Sequence, residues 1–181
     1  DALPISGGAT GEHLVALLQA ENVPVESIEA HEWTRQNLHV HVAANGEQYR
    51  FVMPGATLNG DELMKLQEKV LQIAPGSLLV ISGSLPPGVS LEQFTALIQA
   101  AQHHGLRCVI DSSGDALTAA LAIGQIELVK PNQKELSALV QRELVQPDDV
   151  RNAALEIIRS GKARRVVVSL GAQRALAIDE Q

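Results

Sequence analysis

The feature that most constrains this chain is a repeated rhythm. A short aliphatic run is followed by a turn of small and polar residues, and then by a stretch with helical periodicity. Leu78-Leu79-Val80-Ile81, Cys108-Val109-Ile110, Ile126-Glu127-Leu128-Val129 and Val166-Val167-Val168 are such runs. Apolar runs of this length suit strands buried on both faces. Between them, Ser90 and Gln93 have the spacing of a capping box, and Leu91, Phe94, Leu97, Ile98 and Ala101 fall on one helical face that Gly105 ends. Pro147 suits a first helical turn, with Asp148 and Asp149 beside the positive dipole end. Val150, Ala153, Ala154, Ile157 and Ile158 follow at helical spacing before Gly161. Strands alternating with helices predict an α/β fold: a mostly parallel sheet covered by helices on both sides.

One segment breaks the rhythm. Residues 34–54 carry Asn45-Gly46, a strong hairpin signal, between flanks that alternate apolar and polar. An antiparallel hairpin inside a βα array is an excursion from the main sheet, and a lid or a dimer contact is its natural use. A plain edge hairpin fits the same pattern. Leu38, Val40 and Val42 share one face and require a cover. His39 and His41 share the other, with no third metal ligand in evident reach, so they read as exposed strand residues.

Composition narrows the field. The chain has 181 residues, enough for one domain with a real core, read here as spanning 1–181. With 45% hydrophobic residues and only 2% aromatic ones, that core is aliphatic. Fourteen Lys and Arg against 21 Asp and Glu give a net charge of -7, which disfavours a nucleic-acid partner. The single cysteine, Cys108, lies in an apolar run and reads as a small buried hydrophobe. No apolar stretch is long enough to span a bilayer and nothing reads as a signal peptide, which fits a cytoplasmic protein. The chain begins Asp1-Ala2-Leu3-Pro4-Ile5 and ends on a strand-like Ala175-Leu176-Ala177-Ile178, so a piece of a longer chain is expected.

Ligands of an open parallel sheet bind at the carboxyl ends of its strands. Here those ends read Ser82-Gly83-Ser84, Asp111-Ser112-Ser113, Lys130-Pro131-Asn132 and Ser169-Leu170-Gly171. Lys130 offers a point charge to phosphate. Asn132 and Glu135 have two readings: they hold Mg²⁺ through its waters, or they form the N-cap and capping box of a helix. Four polar tips at one end of one sheet favour a cleft for a phosphorylated ligand. Gly7-Gly8-Ala9-Thr10-Gly11 is neither a dinucleotide fingerprint nor a P-loop, and reads as a turn before a helix starting near Glu12. No G-x-S-x-G, H-E-x-x-H or C-x-x-C occurs.

At these tips the sequence resembles the PfkB, or ribokinase-like, family of carbohydrate kinases. Lys130-Pro131-Asn132-Gln133-Lys134-Glu135 is similar to its K-P-N-x-x-E segment, Ser82-Gly83-Ser84-Leu85-Pro86-Pro87-Gly88 to its S-G-S-L-P-x-G loop, and Ser169-Leu170-Gly171 to its nucleotide-side turn. The segments 37–42 and 49–55 resemble members that act on fructose 6-phosphate. The resemblance covers the family's middle portion and implies a ribokinase-like fold truncated at both ends. It implies ATP- and Mg²⁺-dependent phosphoryl transfer to fructose 6-phosphate, with tagatose 6-phosphate or fructose 1-phosphate as alternatives. By position, Arg35 would hold the sugar phosphate, with Ser84 on the substrate side. Lys130 and Asn132 would face the ATP phosphates, and Ser169 and Gly171 would line the nucleotide site. Glu135 would organise Mg²⁺, and Asp111 would assist. The hairpin would be the family's lid, which also builds homodimers. The family's N-terminal Gly-rich sugar loop and its C-terminal G-A-G-D, with the catalytic Asp, do not occur in this sequence, so no catalytic base is assigned. Arg174 stands where related chains carry Gly. The rival reading is a non-catalytic nucleotide- or sugar-phosphate-binding module that self-associates through the hairpin.

Overall fold

The computed structural model describes residues 1–171 and 174–179. They divide into two compact units: Asp1–Lys69 with Pro86–Val89, and Val70–Leu85 with Ser90 onward.

The first unit opens with β1 (Ile5–Ser6), α1 (Gly8–Ala20) and β2 (Ile28–Glu29), and β1 pairs parallel with β2. Helix α1 starts at Gly8 rather than near Glu12. Its first turn lies directly against the end of β1: the Gly11 amide donates to the Gly7 carbonyl at 3.2 Å, and a Cβ on buried Gly11 would meet the Ser6 backbone at 2.9 Å. Glycine is what lets the helix begin so close to the strand. The hairpin follows as β3 (Leu38–His41) and β4 (Gln48–Phe51), antiparallel, with Leu38 opposite Phe51 and Val40 opposite Tyr49. Its loop is wider than a two-residue turn. Val42 donates to the Glu47 carbonyl at 2.8 Å, and Gly46 takes the positive φ of 74°. Leu38, Val40, Tyr49 and Phe51 share one face, and all four are exposed. Helix α2 (Gly60–Val70) closes the unit. Asn59 and Glu62 cap it reciprocally, and Lys69 pairs with Glu26 at 2.7 Å.

The second unit holds β5 (Leu78–Ser82), α3 (Leu91–His103), β6 (Arg107–Asp111), α4 (Gly114–Ile123), β7 (Leu128–Val129), α5 (Gln133–Leu139), α6 (Pro147–Arg159), β8 (Val166–Ser169) and β9 (Ala175–Ile178). They build one sheet in the order β5-β6-β7-β8-β9, parallel except for β9, which runs antiparallel to β8. The strand-like tail thus finds its partner in β8. The expected caps are present: Ser90 and Gln93 form a capping box on α3, and Pro147 opens α6.

Burial of the sheet is uneven. Ile110, Val129 and Val166 stand side by side across three strands and are fully buried, as are Cys108 and Val168. Helices α3 and α4 pack on β6, and α5 and α6 on β8. The opposite face, through Val109, Leu128 and Val167, is half-buried, and on β5 it opens fully: Leu78 is 51% exposed and Val80 60%. The expectation of strands buried on both faces therefore holds on one face alone: the other is half-buried at the centre of the sheet and open at β5, its edge strand. Among the described residues no helix is long and apolar enough to cross a membrane.

A charged lock sits at the start of the central strands. Glu127 is only 6% exposed and accepts from Arg165 at 2.8 Å, with Arg107 4.0 Å away. The three residues stand at the beginnings of β7, β8 and β6, so the carboxylate ties neighbouring strands laterally. Glu127→Gln removes the charge while keeping the shape, and should cost roughly 1–3 kcal/mol of stability. Denaturant unfolding checks this, and a change under about 0.5 kcal/mol, the range of ordinary surface substitutions, would contradict the lock.

Candidate functional site

The carboxyl ends of β5, β6, β7 and β8 meet around a cavity of about 240 Å³ in the second unit. It is lined by Gly83, Ser84, Asp111 with Ser112 and Ser113, Lys130, Asn132, Glu135 and Ser169. Register explains why these residues converge. Ile110 pairs with Val129, so the next residues, Asp111 and Lys130, leave adjacent strands side by side. Their charged groups meet at 3.0 Å, with each side chain roughly two-fifths exposed. Ser82 pairs with Asp111, which brings the Gly83-Ser84 turn to the same rim. The Ser169 amide donates to the Pro131 carbonyl at 3.0 Å, which sets Ser169 beside Asn132.

The Asn132–Glu135 pair takes the helix-cap reading. The Asn132 side chain accepts from the Glu135 amide at 2.9 Å, and Glu135 Oε2 accepts from the Asn132 amide at 2.8 Å, so the pair is the capping box of α5. Both residues also line the cavity. The cap occupies one carboxylate oxygen and fixes the side chain at the rim. Apart from Gly83, the residues that line it are polar: they bring hydroxyls, an amide, two carboxylates and an ammonium. Such a wall suits an ionic, strongly hydrated ligand more than an apolar ring, which pockets usually hold against hydrophobic side chains.

Among the other expected site residues, Gly171 and Arg35 do not line this cavity. Gly171 takes the left-handed φ of 86° just after β8. Ala172 and Gln173, the variable positions of the expected nucleotide-side turn, lie outside the described residues. Arg174 is exposed, and its carbonyl accepts from the Leu170 amide at 3.1 Å. Arg35 belongs to the first unit. Its guanidinium donates to the Met53 carbonyl at 3.4 Å, and among the described residues no carboxylate pairs with it. Ser84, expected on the substrate side, lines the same cavity as Lys130.

The family model for pfkB carbohydrate kinases matches residues 4–181. The chain belongs to this family. A pfkB relative, the ATP-dependent 6-phosphofructokinase isozyme 2 of Escherichia coli strain K12, is 72% identical over 176 residues, covering 97% of this chain and 57% of its own length. Among solved structures, phosphofructokinase-2 from Escherichia coli in complex with fructose-6-phosphate superposes with a TM-score of 0.93 at 71% identity, covering 99% of this chain and 59% of that one. The tetrameric inhibited form of the same enzyme superposes at 0.91, with the same identity and coverage. The chain thus spans well under two thirds of the length of these pfkB relatives, and its mostly parallel, helix-flanked sheet is the family's fold.

Gly83, Ser112 and Ser113 also line the cavity, and the sequence marks them only as parts of polar strand tips. Ser112 is buried and donates to the Gly83 carbonyl at 2.8 Å, so it holds the β5 tip against the β6 tip. A hydroxyl directly after a strand-terminal Asp was the available signal.

Proposed function

We propose that this chain is part of an ATP- and Mg²⁺-dependent sugar-phosphate kinase that transfers the γ-phosphoryl group of ATP to O1 of fructose 6-phosphate. The observation that carries this is the cavity at the strand tips, where Lys130, Asp111, Asn132, Glu135, Ser84 and Ser169 are brought together in a pfkB chain. The high identity to a 6-phosphofructokinase supports the choice of substrate.

Phosphoryl transfer needs positioning and charge neutralisation more than covalent help from the protein. In this reading Lys130 meets the ATP phosphates as a point charge, and its ion pair with Asp111 keeps the ammonium at the rim until the nucleotide competes for it. Asn132 and Ser169 offer neutral hydrogen bonds, and Gly171 leaves its backbone open to close approach. The oxygen-rich lining fits a hard cation that keeps most of its waters. Glu135, through the oxygen its cap leaves free, and Asp111 would hold that shell; when bound, Mg²⁺ supplies charge neutralisation on the phosphates. Arg35, exposed and without an ion pair among the described residues, receives the phosphate of the sugar, with Ser84 assigned to the sugar side. In the reaction the O1–phosphorus bond forms, the bond from the γ-phosphorus to the bridging oxygen breaks, and the O1 proton passes to a base. No Gly-Ala-Gly-Asp sequence occurs in the 181 residues, and in this reading no residue of this chain is assigned as that base.

Residues 1–181 are on this reading a partial pfkB kinase domain, with residues 34–54 as its lid, working in the cytoplasm. The exposed apolar face of Leu38, Val40, Tyr49 and Phe51 pairs two copies into a homodimer. Light scattering should give a dimer mass, and a monodisperse monomer at high concentration would count against that pairing.

The kinase reading is tested by calorimetry beside a coupled assay for ADP formation. The 181-residue chain should bind ATP and show no turnover, since a positioned base contributes about 10²–10⁴-fold. Joining it to the G-A-G-D-bearing part of a pfkB kinase should restore fructose-6-phosphate-dependent ADP formation. Substantial turnover by the chain alone would show that the catalytic machinery has been misplaced, and no binding of ATP would remove the reading.

A further inference from the structure

Glu62 is one of the few buried charged residues of the chain, 4% exposed, and it does more than its position requires. A capping box needs one carboxylate oxygen, and here Oε2 accepts from the Asn59 amide at 2.8 Å while Asn59 Oδ1 accepts from the Glu62 amide at 3.0 Å. The second oxygen, Oε1, accepts from the His31 amide at 2.7 Å, across 31 residues of sequence. These two amides, Asn59 first and His31 second, hold the carboxyl below the usual carboxylate range, and His31 and Lys65 are the charged groups that add to the effect. The helix end at α2 favours the same ionised state. The clasp is therefore intact above the ordinary glutamate value and is lost as pH falls through the lowered one.

What the clasp holds is the irregular segment from His31 to Arg35, which has no secondary structure of its own. Its other ties are few. The Thr57 amide donates to Glu32 at 2.6 Å; the Gly7 amide donates to Thr34 Oγ1 at 3.0 Å and the Thr34 amide to the Gly7 carbonyl at 2.9 Å. Trp33, the only tryptophan, lies over Gly8 so closely that a Cβ there would sit 2.5 Å from the indole ring, yet it remains 66% exposed. Arg35 follows, and among the described residues its guanidinium is tied to the Met53 carbonyl. A buried carboxylate shared between a helix cap and the loop that carries the Arg35 guanidinium costs desolvation and returns a fixed loop.

We infer that Glu62 is a positioning residue for Arg35: its bidentate clasp of Asn59 and His31 fixes the segment that presents the guanidinium to the phosphate of the sugar substrate. This rests on the reading that Arg35 receives that phosphate. Positioning matters because an arginine left to wander must be ordered at each binding event.

The test compares wild type, Glu62→Gln and Arg35→Ala. Gln keeps the shape but places an NH₂ group against one of two N–H donors, so only one bond survives. Amide hydrogen exchange over residues 31–35 and Trp33 emission report the segment directly, while calorimetry reports fructose 6-phosphate and, separately, ATP. Glu62→Gln should raise exchange in the segment, shift the Trp33 emission and weaken fructose 6-phosphate about 5- to 30-fold, with ATP affinity unchanged. A general loss of structure would instead move both ligands together. Unchanged exchange over residues 31–35 overturns the clasp whatever the ligands do. If Arg35→Ala weakens the sugar phosphate and Glu62→Gln does not, the positioning role is overturned alone. If Arg35→Ala leaves fructose 6-phosphate binding intact, the assignment of Arg35 falls, and the inference with it.

Discussion

The site depends on the register of β7, a strand of only two residues, against its parallel neighbours. Val129 stands opposite Ile110 on one side and Val166 on the other, all three fully buried. Parallel pairing then carries the chains out of the sheet in step. Asp111 and Lys130 leave side by side, and Ser169 follows on the far strand. A slip of one residue would turn Lys130 toward the opposite face of the sheet. The buried aliphatic row therefore fixes the charges: a polar rim with this order exists because an apolar row behind it admits one alignment. The Glu127 lock with Arg165 and Arg107 secures the same strands at their other ends.

The same economy recurs at the rim. Asn132 and Glu135 cap α5 and line the cavity at once. Capping removes freedom from the side chain, and a side chain already ordered loses less on meeting a ligand. Glu62 repeats the device in the first unit, where a helix cap lends its second oxygen to a loop.

Much of this was legible in the sequence. The central strands, the caps of α3, α5 and α6, and the four polar tips follow from periods and spacings that act over a few residues. What escaped was set at longer range. The exposure of Leu78 and Val80 depends on β5 being the sheet edge, which a run of apolar residues does not reveal. The early start of α1 depends on Gly11 lying against Ser6. Asn59 and Glu62 show capping-box spacing in the sequence, but the bond to His31 spans 31 residues and leaves no local trace. Ser112 and Ser113 were visible as polar tip residues, without a sign that both line the cavity. The family resemblance added residue roles that spacing alone left open between a helix cap and a phosphate site.

In the proposed reading the strand-tip cavity takes the phosphates of ATP through Lys130. Calorimetric titration of ATP into wild type and Lys130→Ala, beside thermal melts of both, tests it most directly. The Lys130–Asp111 pair is solvent-accessible, so its loss should change stability by no more than about 1 kcal/mol. ATP affinity should fall by roughly tenfold or more, as expected when a charge-assisted contact to phosphate is removed. Unchanged ATP affinity together with a collapsed melting temperature would make Lys130 a structural residue and contradict the account.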